Sequence, residues 1–277
     1  MDAVIPFIHS DNADIELLFA LRTLSSHAKH IDRVFIIGDQ PDFTNEKVVV
    51  YPFEQKGTKD YCIAKKTEFA CTLDQVSENF LFMNDDHFFT KDISEDYPYY
   101  YRNETIKGRK NNIYKSYIDQ TMLYLESLGK QTRDFDVHCP IIYNKKKFLE
   151  LTEHWNSKKN YLVKSMYGNC NHIEGVEYHD CKIRKFGEMA FKNECFSIYD
   201  IALYNGTLKW LGENYTQPSR YEKETKFGFK VIKGFKDSVE QVKRDRNSTF
   251  FVDNNRAMDF FSKGQEHVRF IGFETLE

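Results

Sequence analysis

Two neighbouring carboxylates at the end of an apolar run are the residues best suited to do chemistry in this chain. In FLFMNDDHFF, the run Phe80–Met83 delivers Asn84, Asp85, Asp86 and His87 in succession. Uncompensated carboxylates at a buried strand end are costly, and a divalent cation is a common solution. Mg²⁺ or Mn²⁺ on Asp85 and Asp86 would keep coordination positions open for diphosphate oxygens and neutralise a departing nucleotide. An aspartate pair capping a turn is the competing reading. Strand alternation predicts Asn84 and Asp86 on one face and Asp85 and His87 on the other.

Displacement of a nucleotide at such a cation would also need a base for an attacking hydroxyl and a floor for the nucleoside. His138, two residues before Pro140, has suitable basicity near neutral pH. Asp200 follows an apolar strand and is the second candidate, as base or as the group that aligns the acceptor. Arg22, Lys65 and Lys66 fall on expected helices from which their charge can meet phosphate. Pro6, Phe7 and Asp39 stand near strand ends, where they can border base and ribose. Gly38 has no G-x-G-x-x-G context, so a dinucleotide fingerprint is not supported.

A separate constellation is Cys170, His172, His179 and Cys181. A hairpin turning at Gly175 and Val176 would set Cys170 opposite Cys181 and His172 opposite His179, so that four zinc ligands converge. A short hairpin packed on the core explains the spacing as well, and it is not the spacing of common zinc modules.

The elements that must position these groups are read from periodicity. AVIPFI, RVFIIGD and KVVVYPF read as strands, DIELLFALRTLSSHAK and DYCIAKKTEFACTLDQ as helices, and NFLFMNDDHFF as a strand ending in acids. This alternation predicts an α/β fold with a mostly parallel sheet flanked by helices, and ligands at the carboxyl ends of its strands. Beyond Asp92 the pattern is less regular and reads as α+β. Helices are expected at Ile113–Leu128 and Lys145–His154, and strands at Asp136–Tyr143 and Glu194–Tyr199. Gly212–Lys226 reads as a polar loop, and the tail carries helical stretches at Asp237–Arg244 and Asn254–Lys263. No linker or repeat divides the chain. The expected organisation is one domain over residues 1–277, with a nucleotide-binding half (1–92), an acceptor and catalytic half (93–226) and a C-terminal extension (227–277).

Composition narrows the class. Mean hydropathy is -0.62, and no apolar stretch approaches the roughly 20 residues of a membrane span. The acidic start of MDAVIPFIHSDN does not resemble a signal peptide, and six cysteines in 277 residues make no disulfide scaffold, so a cytoplasmic protein with reduced thiols is expected. Net charge is -3. Between Lys107 and Lys164, however, basic residues outnumber acidic ones roughly two to one, interleaved with Tyr114, Tyr117, Tyr143, Trp155 and Tyr161. Either a solvated face or a groove for a polyanion fits that stretch.

NDDHFF after an apolar strand resembles the acid motif of GT-A nucleotide-sugar transferases, and more narrowly that of the Stealth family of sugar-phosphate transferases. The opening strand and helix are similar to that family's, with Asp11, Glu16 and Arg22 at matching places. VHCPIIYNKKKF resembles its H-x-P segment, CFSIYD its F-x-x-N-D segment with Asp200, and QPSRYE its xPSxFE signature. The resemblance covers about Met1–Glu224. It implies a GT-A-like fold, a nucleotide-sugar donor (a UDP-sugar before others), Mn²⁺ or Mg²⁺, and a nucleotide side including Asp11.

Three functions follow as expectations. The first is metal-dependent glycosyl transfer to a hydroxyl acceptor; the Lys, Asn, Tyr and Phe richness of an AT-rich coding source such as a phage points to a hydroxymethylated base in DNA as that acceptor. The second is Stealth-type sugar-phosphate transfer to a glycan. The third is a non-catalytic nucleic-acid-binding module using the basic, tyrosine-rich middle, whose affinity would fall steeply with salt.

Overall fold

A computed structural model describes residues 1–10, 14–108, 114–223, 225–226 and 274–275. Asp11 and almost all of the 227–277 extension, including both of its expected helices, lie outside the described residues.

As far as Phe82 the chain folds as its periodicity predicts. β1 (Asp2–Phe7), β2 (Val34–Gly38), β3 (Val48–Tyr51) and β4 (Asn79–Phe82) are parallel, interrupted by α1 (Ile15–His27) between β1 and β2 and α2 (Lys59–Thr72) between β3 and β4. The order is β3-β2-β1-β4, closed by antiparallel β7 (Ile141–Asn144) on β4. β1 and β2 lie inside the sheet and read as near-continuous apolar runs because both faces are covered. β4 divides its side chains by the period of two: Phe80 and Phe82 face the layer of Tyr143, Phe148 and Tyr167, and Leu81 faces that of α1, Phe88 and Phe196. Thr58 caps α2 by accepting the Tyr61 N–H at 3.4 Å.

The acidic segment differs from the expected single strand. β4 ends at Phe82, residues 84–86 make a turn, and the chain re-enters as β5 (His87–Phe89) in another sheet. Turn geometry rather than strand alternation therefore sets which way the acids point. β5 pairs antiparallel with β10 (Cys195–Ile198), and β10 pairs parallel with β9 (Lys182–Ile183). A third, two-stranded pair joins β6 (Tyr100–Tyr101) to β8 (Val176–Glu177).

The middle of the chain supplies α3 (Lys115–Ser127), α4 (Lys145–Leu149) and α5 (Val163–Cys170). α5 has no counterpart in the sequence reading, and it ends at Cys170, where the expected hairpin would begin. Gly168 lets it approach Phe135: a Cβ there would lie 2.5 Å from the ring. Asp136 secures its start by accepting from the Ser165 N–H at 3.0 Å and hydroxyl at 2.6 Å. After β10 the chain forms the short α6 (Asp200–Ala202) and then α7 (Leu208–Asn214). No helix among the described residues is long and apolar enough to cross a membrane.

Candidate active site

The carboxyl ends of β1, β2 and β4 lie side by side, and the polar residues that follow them meet there. Gly38 allows the close approach. Its φ is +145°, and a Cβ would fall 1.8 Å from the Phe7 carbonyl oxygen. Lys66, buried on α2, donates to that carbonyl at 3.0 Å. Burial lowers its pKa, opposed by the charges of Asp39 and Asp85. Asp39 Oδ2 accepts from the His9 N–H at 2.8 Å, and His9 Nδ1 lies 2.6 Å from Asp14 Oδ2. Lys66 and Asp39 thus belong to one rim with Asp85, and sequence reasoning missed its other members, His9 and Asp14.

Asp85 and Asp86 sit in the turn after β4, both half-buried. Burial and the adjacent Asp86 push the Asp85 carboxyl up to about 7. Asp86 goes the other way. Burial raises it, but His87, Lys182 and the Ser197 hydroxyl outweigh that and hold it below the ordinary carboxylate range. Its Oδ2 accepts from Ser197 Oγ at 2.6 Å and Lys182 Nζ at 3.4 Å. Its Oδ1 is buried without a hydrogen-bond partner, 3.8 Å from His87 Nε2. The Asn84 N–H donates to His87 Nδ1 at 3.3 Å, so a neutral ring carries its proton on Nε2; burial pushes the His87 pKa down to about 3. A partnerless carboxylate oxygen beside a second carboxylate short of countercharge is a donor set that fits a hard divalent cation. Among the described residues no group of three or more His, Cys, Asp and Glu side chains is placed to enclose a metal, so the other positions would fall to water and ligand oxygens.

The register between β4 and β7 pairs Phe82 with Ile141, which brings His138 to the end of the sheet where the acids stand. His138 is held from one side. Asp180 takes the His138 backbone N–H at 3.2 Å and Nδ1 at 2.8 and 2.9 Å, and Arg102 Nη2 lies 3.0 Å from Asp180 Oδ2. Burial raises the Asp180 pKa, but His138 and Arg102 outweigh it and keep the carboxyl well below its usual range. An ionised carboxylate only accepts, so in the neutral ring Nδ1 carries the proton and Nε2 the lone pair. Lys164, buried below this loop, donates to the carbonyls of Val137 at 2.9 Å and Cys139 at 2.5 Å.

Asp180, Cys181 and Lys182 bind the two parts together. Alternate residues of the strand edge send Asp180 to His138 and Lys182 to Asp86, while Cys181 Sγ donates to the His138 carbonyl at 2.8 Å. Lys182 and Ser197, both on Asp86, are register partners on β9 and β10. The alternation D-x-K-x-R at Asp180–Arg184 was the available sequence signal. Asp200 opens α6 at the end of β10 and is exposed; because Ser197 pairs with His87, the chain passes the acidic turn just before reaching it.

Several expected site residues have other partners in the fold. Arg22 faces no cleft: it is buried and clasps Glu222, Nε to Oε1 at 3.0 Å and Nη2 to Oε2 at 2.9 Å, while Nη1 donates to the Tyr215 carbonyl at 2.7 Å. Its charge fixes QPSRYE to α1. Lys65 pairs one turn along its own helix with Glu68 at 2.5 Å. The Phe7 ring is core, 1% exposed, and only its carbonyl faces the rim; Pro6 is engaged in β1, paired with Ile37. The expected zinc hairpin is absent. Cys170 ends α5, the chain turns at His172 (φ 53°) and Gly175 (φ 71°), and Val176 goes to pair with Tyr100 instead of folding back. Of the basic, tyrosine-rich stretch, Tyr143 is fully buried, Tyr161 is 9% exposed, and Lys145 and Lys164 donate to backbone carbonyls, whereas Tyr114 is exposed and Tyr117 and Trp155 are half-buried.

No family model and no curated protein matches the chain. Among solved structures, it is similar to a galactosyltransferase, LgtC, in complex with donor and acceptor sugar analogues: 10% identity, 61% of this chain and 69% of that one covered, TM-score 0.37. A likeness that distant assigns chemistry to no residue.

Proposed function

We propose that the protein is a metal-dependent glycosyltransferase that moves a sugar from a nucleotide sugar to a hydroxyl acceptor. One observation carries the reading: the Asp180–Lys182 segment joins an oriented imidazole, His138, to a carboxylate pair at the carboxyl end of a central parallel strand. Asp85 and the partnerless oxygen of Asp86 would hold Mn²⁺ or Mg²⁺, which supplies countercharge to a leaving diphosphate.

The other roles belong to the chain itself. His138 Nε2 accepts the proton of the acceptor hydroxyl, and Asp180 steadies the imidazolium that forms. Lys182 and Ser197 fix Asp86 in one rotamer. Asp39 and the rim around His9 and Lys66 border the nucleotide, and Asp200 aligns the acceptor from the end of β10. Asp11 joins the nucleotide side only on the strength of the family resemblance.

The experiment is a panel of nucleotide sugars with Mn²⁺ and simple hydroxyl acceptors, read by the nucleotide released. Nucleoside diphosphate is the expected product. Nucleoside monophosphate would identify sugar-phosphate transfer instead, the reading favoured by the cation Lys182 standing against the acidic turn. Release of neither from any donor contradicts both.

A further inference from the structure

One face of the site remains without a role. Tyr199 stands between the acidic turn and Asp200, and its N–H donates to the Ile183 carbonyl at 3.0 Å, so the residues on either side of Ile183 flank it. Lys182 Nζ lies 5.0 Å and Arg184 Cζ 4.8 Å from the Tyr199 ring centroid. Tyr199 is 41% exposed and Arg184 is also exposed, with no ion pair or hydrogen bond among the described residues beyond that ring. Lys185 follows, exposed as well. A guanidinium held against an aromatic face by cation–π attraction still has N–H donors to offer an anion. Two cations share one ring, and only Lys182 has a carboxylate beside it, at 3.4 Å, so the charge of Arg184 is unpaired among the described residues.

We infer that Lys182, Arg184 and Tyr199 form an anion subsite for a phosphate monoester carried by the acceptor. This rests on the reading of the acidic turn as the donor site and adds the class of acceptor. Arg184 would take two phosphate oxygens in its fork, Lys182 would contribute charge, and the Tyr199 ring would hold the guanidinium in place. A monoester, close to doubly charged at neutral pH, suits two adjacent cations better than a singly charged phosphodiester does.

The test uses the full chain with UDP and Mn²⁺ present, and glucose 6-phosphate and glucose as probes in calorimetric or NMR titrations. Glucose 6-phosphate should bind at least about tenfold more tightly than glucose, and Arg184→Gln should remove that advantage while UDP binding stays as in the parent. Arg184→Lys, which keeps the charge but loses the fork, should retain part of it. Equal binding of the two sugars, or a preference untouched by Arg184→Gln, overturns the inference. Tighter binding of a single-stranded oligothymidylate than of glucose 6-phosphate overturns it in favour of nucleic acid. UDP binding is read in the same titrations, so failure of the donor site shows separately.

Discussion

At the scale of single residues, protons decide what the site can do. Asp85 holds its proton up to about pH 7, whereas an unfolded aspartate releases it near 4. The folded chain therefore binds more protons than the unfolded one between those values, and stability without metal falls as pH rises through that window. Asp85→Asn should abolish this fall and stabilise the metal-free protein at pH 8 by roughly 2 kcal/mol, read by urea denaturation at pH 5 and pH 8. A variant with the parent's pH slope would place the raised pKa elsewhere. Asp180 has the opposite sign, its pKa held down in the fold. Its contribution is present above the ordinary carboxylate range and is lost as acid protonates it. Asp180→Asn should lower kcat roughly 100-fold with little change in the KM for donor, because it unsettles the tautomer of His138 rather than the nucleotide site. An equal rise in KM would make Asp180 a substrate-binding residue.

At the scale of elements, two segments far apart in sequence hold the frame. Arg22 on α1 and Glu222 after α7 are both buried, and Glu222 also takes the Ser219 N–H at 2.7 Å. Glu222→Ala leaves a buried guanidinium unpaired and should cost about 3–5 kcal/mol in denaturant unfolding. A cost below about 1 kcal/mol would mean that water reaches Arg22. Arg22 and the QPSRYE segment thus form one structural clasp. β1 to β4 were legible because a buried parallel strand is an unbroken apolar run bounded by polar residues, and α2 because it buries one face; α1, buried all round from Leu17 to Leu24, was legible from its length and acidic start. The expected Lys145–His154 helix is the short α4 followed by a separate 3-10 turn, Thr152–His154. α5 was illegible. Its N-cap, Leu162, offers no side-chain cap, its start is secured by Asp136 from another segment, and Gly168 breaks the pattern for a tertiary reason. At the site, the acids and His138 carried local signals of residue type, while Asp180, Lys182 and Ser197 acquire their roles only when β9 and β10 pair beside the acidic turn.

At the scale of the whole molecule, the carboxyl ends of β1, β2 and β4 share one end of the sheet, and the sheet of β5, β9 and β10 begins directly after the acidic turn. A donor that binds there should stabilise the fold by mass action. Saturating UDP-sugar with Mn²⁺ at 100 times its Kd would add about 2.7 kcal/mol and raise Tm by a few degrees. A panel in which no donor moves Tm would count against the site. The most direct test of the cation's place is UDP affinity measured calorimetrically with and without Mn²⁺, in the parent chain and in Asp85→Asn. Mn²⁺ should tighten UDP binding to the parent by at least about tenfold, less so below pH 7 where Asp85 holds its proton, and should leave the variant nearly unchanged. UDP bound equally well without Mn²⁺, or a variant that responds to Mn²⁺ as the parent does, would contradict the account.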